Sequence, residues 1–477
     1  MTAVTSPVPR SLHLTAVLHP ARLFAMLSLI FGVVVVLINP PLRGPDEPAH
    51  FVRIHAFAHG VILPVTEVDG RKGIQIPAAL NDEFDFFNTR RHEIWTRGFT
   101  FRNEMAGYRA LRDGKVADDP RPPVFVAFEG SEPYNPVAYA PHIAAGLVAR
   151  VLGLDFVSAL TLMRLTGLLV FTAISAYAIA LTPHLNWAFF LIAMLPASLY
   201  GRAVLGADGA VNAMSMLVAA LALKAIAHPA SVSVFERALT MTLCVLTKPP
   251  QVVFVLLEPM IHRFRDLPRA MSTIALVALP GIVLTLLWIW AIDAEMASWR
   301  LHSSGEYTAE QFSLGWKLGF MLDNPLHFPT VMLTTIGSEA FGLWRQLIGV
   351  LGWLDTHLPT WVYVAISVCL IATFCERLML DARVRLRIAF WSALTILLYV
   401  TAVFFILFVT WTPVSEAGIW GVQGRYFVPV LPAAALLLAA LLDLHAPNSL
   451  RAGAALAGTA IGSGAVIEGL WRVNWAG

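Results

Sequence analysis

The chain has 477 residues, of which 57% are hydrophobic and only 13% charged, with a mean hydropathy of +0.68. A soluble domain carries about twice that share of charge and few long apolar runs, so this composition excludes an ordinary globular protein and indicates a helical integral membrane protein. A net charge of +2 carries no nucleic-acid signal, and the three cysteines, all in apolar segments and without a CxxC pair, argue against a disulfide framework or a zinc site.

Residues 1–22 read as a cytoplasmic N-terminus, with Arg10 and Arg22 ahead of the first apolar run and no small-residue cleavage site behind it, which is the pattern of a signal anchor. The first span is expected at 23–39. It leads into NPPLRGPDEPAHF (39–51), where prolines at 40, 41, 45 and 48 stop the helix from continuing. Residues 40–156 form the first extracytoplasmic region in this reading. From 40 to 134 it holds 12 Lys/Arg and 14 Asp/Glu, as a small folded domain or a set of juxtamembrane helices would. The segment 137–153, with His142 and Arg150, reads as an amphipathic helix rather than a span.

A transmembrane core follows over 157–292, with apolar segments at 157–181, 186–204, 208–227, 234–247, 250–264 and 270–292. Residues 293–359 make a second extracytoplasmic region whose stretch 330–354 reads as a surface or re-entrant helix. The C-terminal part, 360–477, adds segments at 360–380, 386–411, 426–445 and 452–470. The expectation is therefore an all-α polytopic fold of about eleven transmembrane helices with a helical first loop. With the N-terminus inside, four of the five short loops assigned to the cytoplasm carry Lys or Arg, consistent with the positive-inside rule.

Several polar residues then gather at the outer ends of spans. Asp46 and Glu47 follow the first span, and a carboxylate at a membrane–water boundary is expected to have a raised pKa and a base-like role; the plainer alternative is a helix cap in an interfacial turn. Arg202 and Asp208 flank the turn between the third and fourth spans. Lys248 stands in VLTKPPQVV, where Lys-Pro-Pro breaks two short apolar segments, so it either lines a cavity or snorkels from a helix end. Arg425, in QGRYFVPVLP, is either a cavity residue or an interfacial anchor. His50 and His55 read more readily as capping or packing residues than as metal ligands. No nucleotide-binding fingerprint occurs. Fixed cations beside carboxylates at one membrane depth suit a lipid phosphate held by Lys248, Arg202 and Arg425 while a carboxylate takes a proton from an attacking group.

GPDEPAHF, SEPYNPVAY, GADGAVN, LTKPPQ, LGWLD and QGRYFVPVLP, in this order, resemble a bacterial family of polytopic membrane proteins of unknown function, which looks like a branch of the GT-C glycosyltransferases that use polyprenyl-phosphate sugars. The resemblance covers nearly the whole chain. It implies Asp46 as general base or metal ligand with Glu47 beside it, Asp208 as a second acid, and Lys248 as the basic residue after the fifth span. Lys248, Arg202 and Arg425 then bind substrate phosphate, with His50, Gln423 and Tyr426 as further substrate contacts. It leaves room for magnesium or manganese at Asp46 and Asp208. The large soluble C-terminal domain that some GT-C enzymes use for the acceptor has no counterpart, which leaves the acceptor undetermined.

The reading is thus a glycosyltransferase of the bacterial inner membrane that moves a sugar from a polyprenyl-phosphate-linked donor to an envelope glycan, lipid or protein acceptor, with its site facing the periplasm or outside. The rivals are a transporter or flippase of lipid-linked sugars, which would alternate its polar face and often shows an internal repeat not found here, and a non-catalytic envelope assembly protein.

Overall fold

A computed structural model describes residues 19–68, 70–90, 100–114, 119–292 and 309–476. The N-terminal stretch bearing Arg10, and residues 293–308 of the expected second extracytoplasmic region, lie outside these. Among the described residues seven helices are long and apolar enough to cross a membrane: Pro20–Ile38, Phe156–Leu181, Asp208–Ala227, Phe264–Ala291, Ala382–Trp411, Gly424–Leu442 and Asn448–Asn474. The other four of the eleven expected spans are shorter or broken. The segment 186–204 splits into Asn186–Met194 and Pro196–Ala203, because Pro196 has no N–H to continue the ladder and Leu195 before it is pushed to an extended ψ of 143°. The segment 234–264 ends its α-helix at Thr247 and continues as the 3₁₀ runs Pro249–Leu257 and Pro259–Ile261. Thr360–Phe374 has 15 residues.

Asp208–Ala227 sits at the centre of the bundle, buried along nearly its whole length, with the broken pair 186–203 beside it. Leu267–Ala291 lies at the periphery and leaves Leu276, Leu279, Leu286, Leu287 and Trp290 exposed. Gly281 lets its backbone approach the helix Val234–Thr247: a Cβ there would stand 3.1 Å from Thr242 Cα and from Val245 Cβ.

The first loop is not purely helical. It holds the helices Glu47–Ala58, Ala78–Arg90 and Phe101–Asp113, and also a three-stranded antiparallel sheet of Val65–Thr66, Lys72–Ile76 and Val124–Ala127. In that sheet Val65 faces Gly73, and Ile74 faces Val126. The sequence reading did not anticipate these strands. Ile74 and Ile76 bury their side chains against Phe51, Phe84, Phe87, Phe101 and Phe156, giving the loop an aromatic core of its own. The helix Pro136–Val151, capped by Asn135, then packs back onto Glu47–Ala58 and Phe156–Leu181. The expected amphipathic helix of 330–354 is found as His327–Gly349, followed by the small hairpin Val350–Leu351 and Thr356–His357.

Candidate functional site

The chain leaves its first long helix at Asn39 and turns through two left-handed residues, Leu42 at φ 61° and Asp46 at φ 54°. Aspartate tolerates that conformation better than most side chains, because its short polar group can bond locally. The turn sends the two neighbouring carboxylates to different places. Asp46 lines a cavity of about 490 Å³. Glu47 is fully buried and accepts four hydrogen bonds: from Arg164 Nε at 2.8 Å, Arg164 Nη2 at 2.6 Å, Leu205 N at 2.9 Å and Gly44 N at 2.9 Å. Arg164 also donates from Nη1 to the Asn39 carbonyl and from Nη2 to the Pro40 carbonyl. Glu47 is therefore committed to joining the first loop to the helix Phe156–Leu181. It lines no part of the cavity, which corrects its expected place as a second catalytic carboxylate.

A second tie holds the same loop from above. Arg43 forks onto Asp355 at 3.0 and 3.2 Å, and Trp353 Nε1 donates to the Leu42 carbonyl at 3.3 Å. The Tyr200 hydroxyl lies 3.0 Å from both Asn39 Oδ1 and the Arg43 carbonyl. The LGWLD motif thus acts as a clamp on the turn that presents Asp46, and Val350 at its base reaches the cavity wall.

The short helix Pro196–Ala203 supplies one wall. Ala197, Tyr200, Gly201 and Val204 line the cavity at the i, i+3, i+4, i+7 spacing of a helical stripe. Arg202 is off that stripe. It is buried, donates from Nη2 to Ser28 Oγ at 3.1 Å, and lies over the Phe24 ring at 5.4 Å. The expectation that Arg202 joins a phosphate site is corrected: it points into the bundle, away from the cavity. Asp208, at the first turn of the central helix, does line the cavity.

Lys248 stands where the α-helix stops. Pro249 forces it into an extended conformation, φ −164° and ψ 137°, which turns its side chain out of the helical path. Its Nζ lies 4.0 Å from the Tyr426 ring centroid and 5.8 Å from that of Tyr134. Among the described residues Lys248 forms no ion pair.

Arg425 closes the arrangement. Gly424 before it is pressed onto the helix His327–Gly349: a Cβ there would stand 1.9 Å from the Leu343 carbonyl oxygen, and its N–H donates to Gln346 Oε1 at 2.7 Å. So anchored, Arg425 donates from Nη2 to Asp46 Oδ2 at 2.8 Å and holds Asp208 Oδ2 at 3.2 Å from Nη1. Its Nε donates to Gln423 Oε1 at 2.6 Å, so Gln423 orients the guanidinium rather than lining the cavity.

His50 reaches the cavity from one turn beyond Asp46, hydrogen-bonded through Nδ1 to the Tyr139 hydroxyl at 2.6 Å. Burial lowers it to about 4, against the pull of Asp46 and Asp208, so it is neutral at pH 7. His55 stacks on His59 instead. Burial pushes the Asp46 carboxyl up, but Arg425, together with His50 and Lys248, outweighs burial and holds it below 3.8. The expected rise in its pKa is corrected accordingly: half-exposed to the cavity and paired with a guanidinium, Asp46 is an ionised acceptor.

The two aspartates do not form a ready cation site. The guanidinium already lies between them, and no third His, Cys, Asp or Glu joins them among the described residues. A divalent ion needs more oxygen ligands than this pair offers. Tyr134, Tyr139, Tyr200 and Arg164 complete the site and its supports, and none was singled out from the sequence. Tyr134 and Tyr139 stood inside the SEPYNPVAY motif, where two tyrosines flanking the Asn-Pro start of a helix were the available signal.

With the geometry in place, comparison with known protein families gives a match. The family model described as predicted membrane protein (DUF2142) aligns with residues 29–434. The chain belongs to that family. No curated protein and no solved structure matches it. The DUF2142 match takes in Asp46, Asp208, Lys248 and Arg425, so every charged residue of the cavity lies within the family's own region.

Proposed function

We propose that this DUF2142 protein is a membrane glycosyltransferase of the GT-C kind, moving a sugar from a polyprenyl-phosphate-linked donor to a cell-envelope acceptor on the extracytoplasmic side of the bacterial inner membrane. The observation that carries the reading is a single cavity at the mouth of the bundle that presents an ionised Asp46 and an unpaired Lys248 together. An unpaired cation beside tyrosine faces invites an anion, and the ends of several apolar helices around it fit an anion with a lipid tail.

In this reading the acceptor hydroxyl attacks the anomeric carbon of the donor. The new C–O bond forms as the bond from that carbon to the phosphate oxygen breaks, and the electron pair leaves on the phosphate. Asp46 accepts the hydroxyl proton, with Asp208 beside it. Lys248 stabilises the charge that develops on the leaving phosphate, and Arg425, released in part from the aspartates, joins it. Tyr426 and His50 line the space for the sugar.

The opposite end of the helix Val234–Thr247 favours an enzyme over a transporter. There Arg237 is paired with Glu258 at 3.1 Å, so those two charges neutralise one another, whereas Lys248 at the other end of the helix forms no ion pair among the described residues.

The test is turnover in vesicles. Purified protein is given a panel of radiolabelled polyprenyl-phosphate sugars, and release of polyprenyl phosphate is measured. Wild type is expected to release it; Asp46→Asn and Lys248→Ala are expected to fold, insert and release none. Wild-type rates in both variants would dismiss the assignment, and labelling of cysteines placed at 46, 208 and 425 from both sides of the membrane would point to the transporter.

A further inference from the structure

Lys248 also lines a second, smaller cavity of about 230 Å³, separate from the first. Its walls are Val245, Leu246 and Pro249 around the lysine, and Trp288 and Ile289 on the helix Leu267–Ala291. The polar groups there are largely spent on the protein itself. Asn135 caps its helix by accepting from Val137 N, Thr247 donates to the Cys244 carbonyl, and Trp288 Nε1 donates to the Pro133 carbonyl at 3.0 Å, which fixes the indole as a wall. What remains is a mostly apolar groove bordered by Lys248, with the buried Thr285 hydroxyl as its one further polar group lacking a hydrogen-bond partner among the described residues.

The groove borders the peripheral face of the bundle. Leu284, Leu286, Leu287 and Trp290, interleaved with Thr285, Trp288 and Ile289 on the same helix, are exposed. On a helix long and apolar enough to cross a membrane, that face meets lipid. Gly281 draws this helix against Val234–Thr247 further down, and the groove opens above that close approach.

We propose that this groove holds the hydrocarbon chain of an anionic amphiphile whose phosphate is bound by Lys248, so that the ligand reaches the charged cavity sideways from the bilayer. The proposal rests on the reading of Lys248 as a phosphate-binding residue. It adds the chain-binding surface, Val245–Leu246 against Trp288–Ile289, and the side from which the ligand arrives. The shared lysine is the argument for the occupant: one ammonium at the junction of a charged cavity and an apolar groove matches one molecule with a charged head and an apolar tail.

The experiment uses the full chain in phosphatidylcholine vesicles and a long-chain alkyl phosphate with a diazirine within its chain. After illumination the labelled peptides are mapped by mass spectrometry. The same chain ending in an alcohol, and inorganic phosphate as competitor, are the control arms. Labelling is expected to concentrate on 245–249 and 285–289. It should fall at least about tenfold in Lys248→Gln and in Ile289→Trp, which fills the groove, and persist in Ile289→Ala, which widens it. Labelling spread evenly along the exposed leucines and unchanged in these variants would overturn the proposal, as would equal labelling by the alcohol or complete displacement by inorganic phosphate. Because labelling requires no sugar transfer, localised labelling without turnover leaves the groove standing and removes the enzyme. Turnover without localised labelling removes the groove alone.

Discussion

Asp46 and Arg425 are 379 positions apart in the chain and meet at 2.8 Å. The same guanidinium holds Asp208 at 3.2 Å, so a residue from the third-last helical segment neutralises acids from the first loop and from the head of the central helix. A resting site in which one arginine is shared by two carboxylates is stable while empty. In the proposed reaction an arriving anion would be met by Lys248, and Arg425 would shift part of its hold from the two aspartates to that anion.

Adjacent carboxylates should respond oppositely to mutation. Asp46→Asn keeps the left-handed turn and leaves Arg425 its second carboxylate, Asp208, so it is expected to lower the unfolding temperature only slightly while abolishing transfer. Glu47→Gln strips the charge opposite Arg164 in a dry environment and should cost about 3–5 kcal/mol, seen as poor yield and a lowered unfolding temperature. Equal loss of stability in both variants would refute the division of labour.

Gly424 is expected to tolerate no side chain. In Gly424→Ala the new methyl would meet the Leu343 carbonyl oxygen, a backbone atom that cannot rotate away, and overpacking of this kind costs at least about 2 kcal/mol. Arg425→Lys should fold normally yet lose activity at least tenfold, since an ammonium cannot fork between two carboxylates. Unfolding curves and turnover, measured side by side, separate the two effects.

Lys248→Gln is expected to lower kcat/KM by far more than tenfold, with kcat falling as well as KM rising, because the ammonium both binds the donor phosphate and stabilises the charge that develops on it as it leaves. Arg202→Met, by contrast, should leave KM untouched. Its guanidinium reaches Ser28 inside the bundle, and an apolar replacement of similar length removes a buried charge that has no carboxylate partner among the described residues.

The pH dependence follows from two groups. His50 lies at about 4, below its ordinary 6.5, so between those values the unfolded chain binds more protons than the folded one. Acidification from pH 6.5 to 4 should therefore remove stability, about 3 kcal/mol from His50 alone. Asp46, held below 3.8, contributes stability that is present above that value and is lost as pH falls further through its folded pKa. Neither group changes charge between pH 6.5 and 8. Turnover and unfolding temperature should be flat there, and a slope attributable to His50 in that window would contradict the assignment.

Much of the cavity was legible because charge is so scarce in this chain. Asp46, Asp208, Lys248 and Arg425 each stand at the end of an apolar run, and a charge in such a place is expensive unless it has company. The misread residues failed for local geometric reasons. Glu47 shares Asp46's position in sequence, and only the left-handed turn separates them. Its partner Arg164 was hidden in the middle of an apolar run. Arg202 could have been excluded by phase: with Tyr200, Gly201 and Val204 forming the cavity stripe, position 202 faces the other way. Of the eleven expected spans, seven are long continuous apolar helices among the described residues; hydropathy adds up apolar residues without registering that Leu195–Pro196 and Lys248–Pro249 interrupt the helix. The strand Val124–Ala127 was hard to read because its pairing with Lys72–Ile76 joins residues about 50 positions apart, across Ala78–Arg90 and Phe101–Asp113, whereas Val65–Thr66 and Lys72–Ile76 form a short hairpin for which the Asp-Gly pair at 69–70 was the available and overlooked signal.

The turn at Asp46 works as a switchyard in which one residue of sequence decides which acid meets solvent and which meets Arg164. Removing a single amino acid between Gly44 and Asp46 would bring Glu47 to the place that meets the cavity and leave Arg164 without its carboxylate. Inserting one there would instead bring Asp46 to the place that meets Arg164 and leave the cavity without that acid. Such a frame slip would damage folding and chemistry at once, whereas point substitutions can damage them separately.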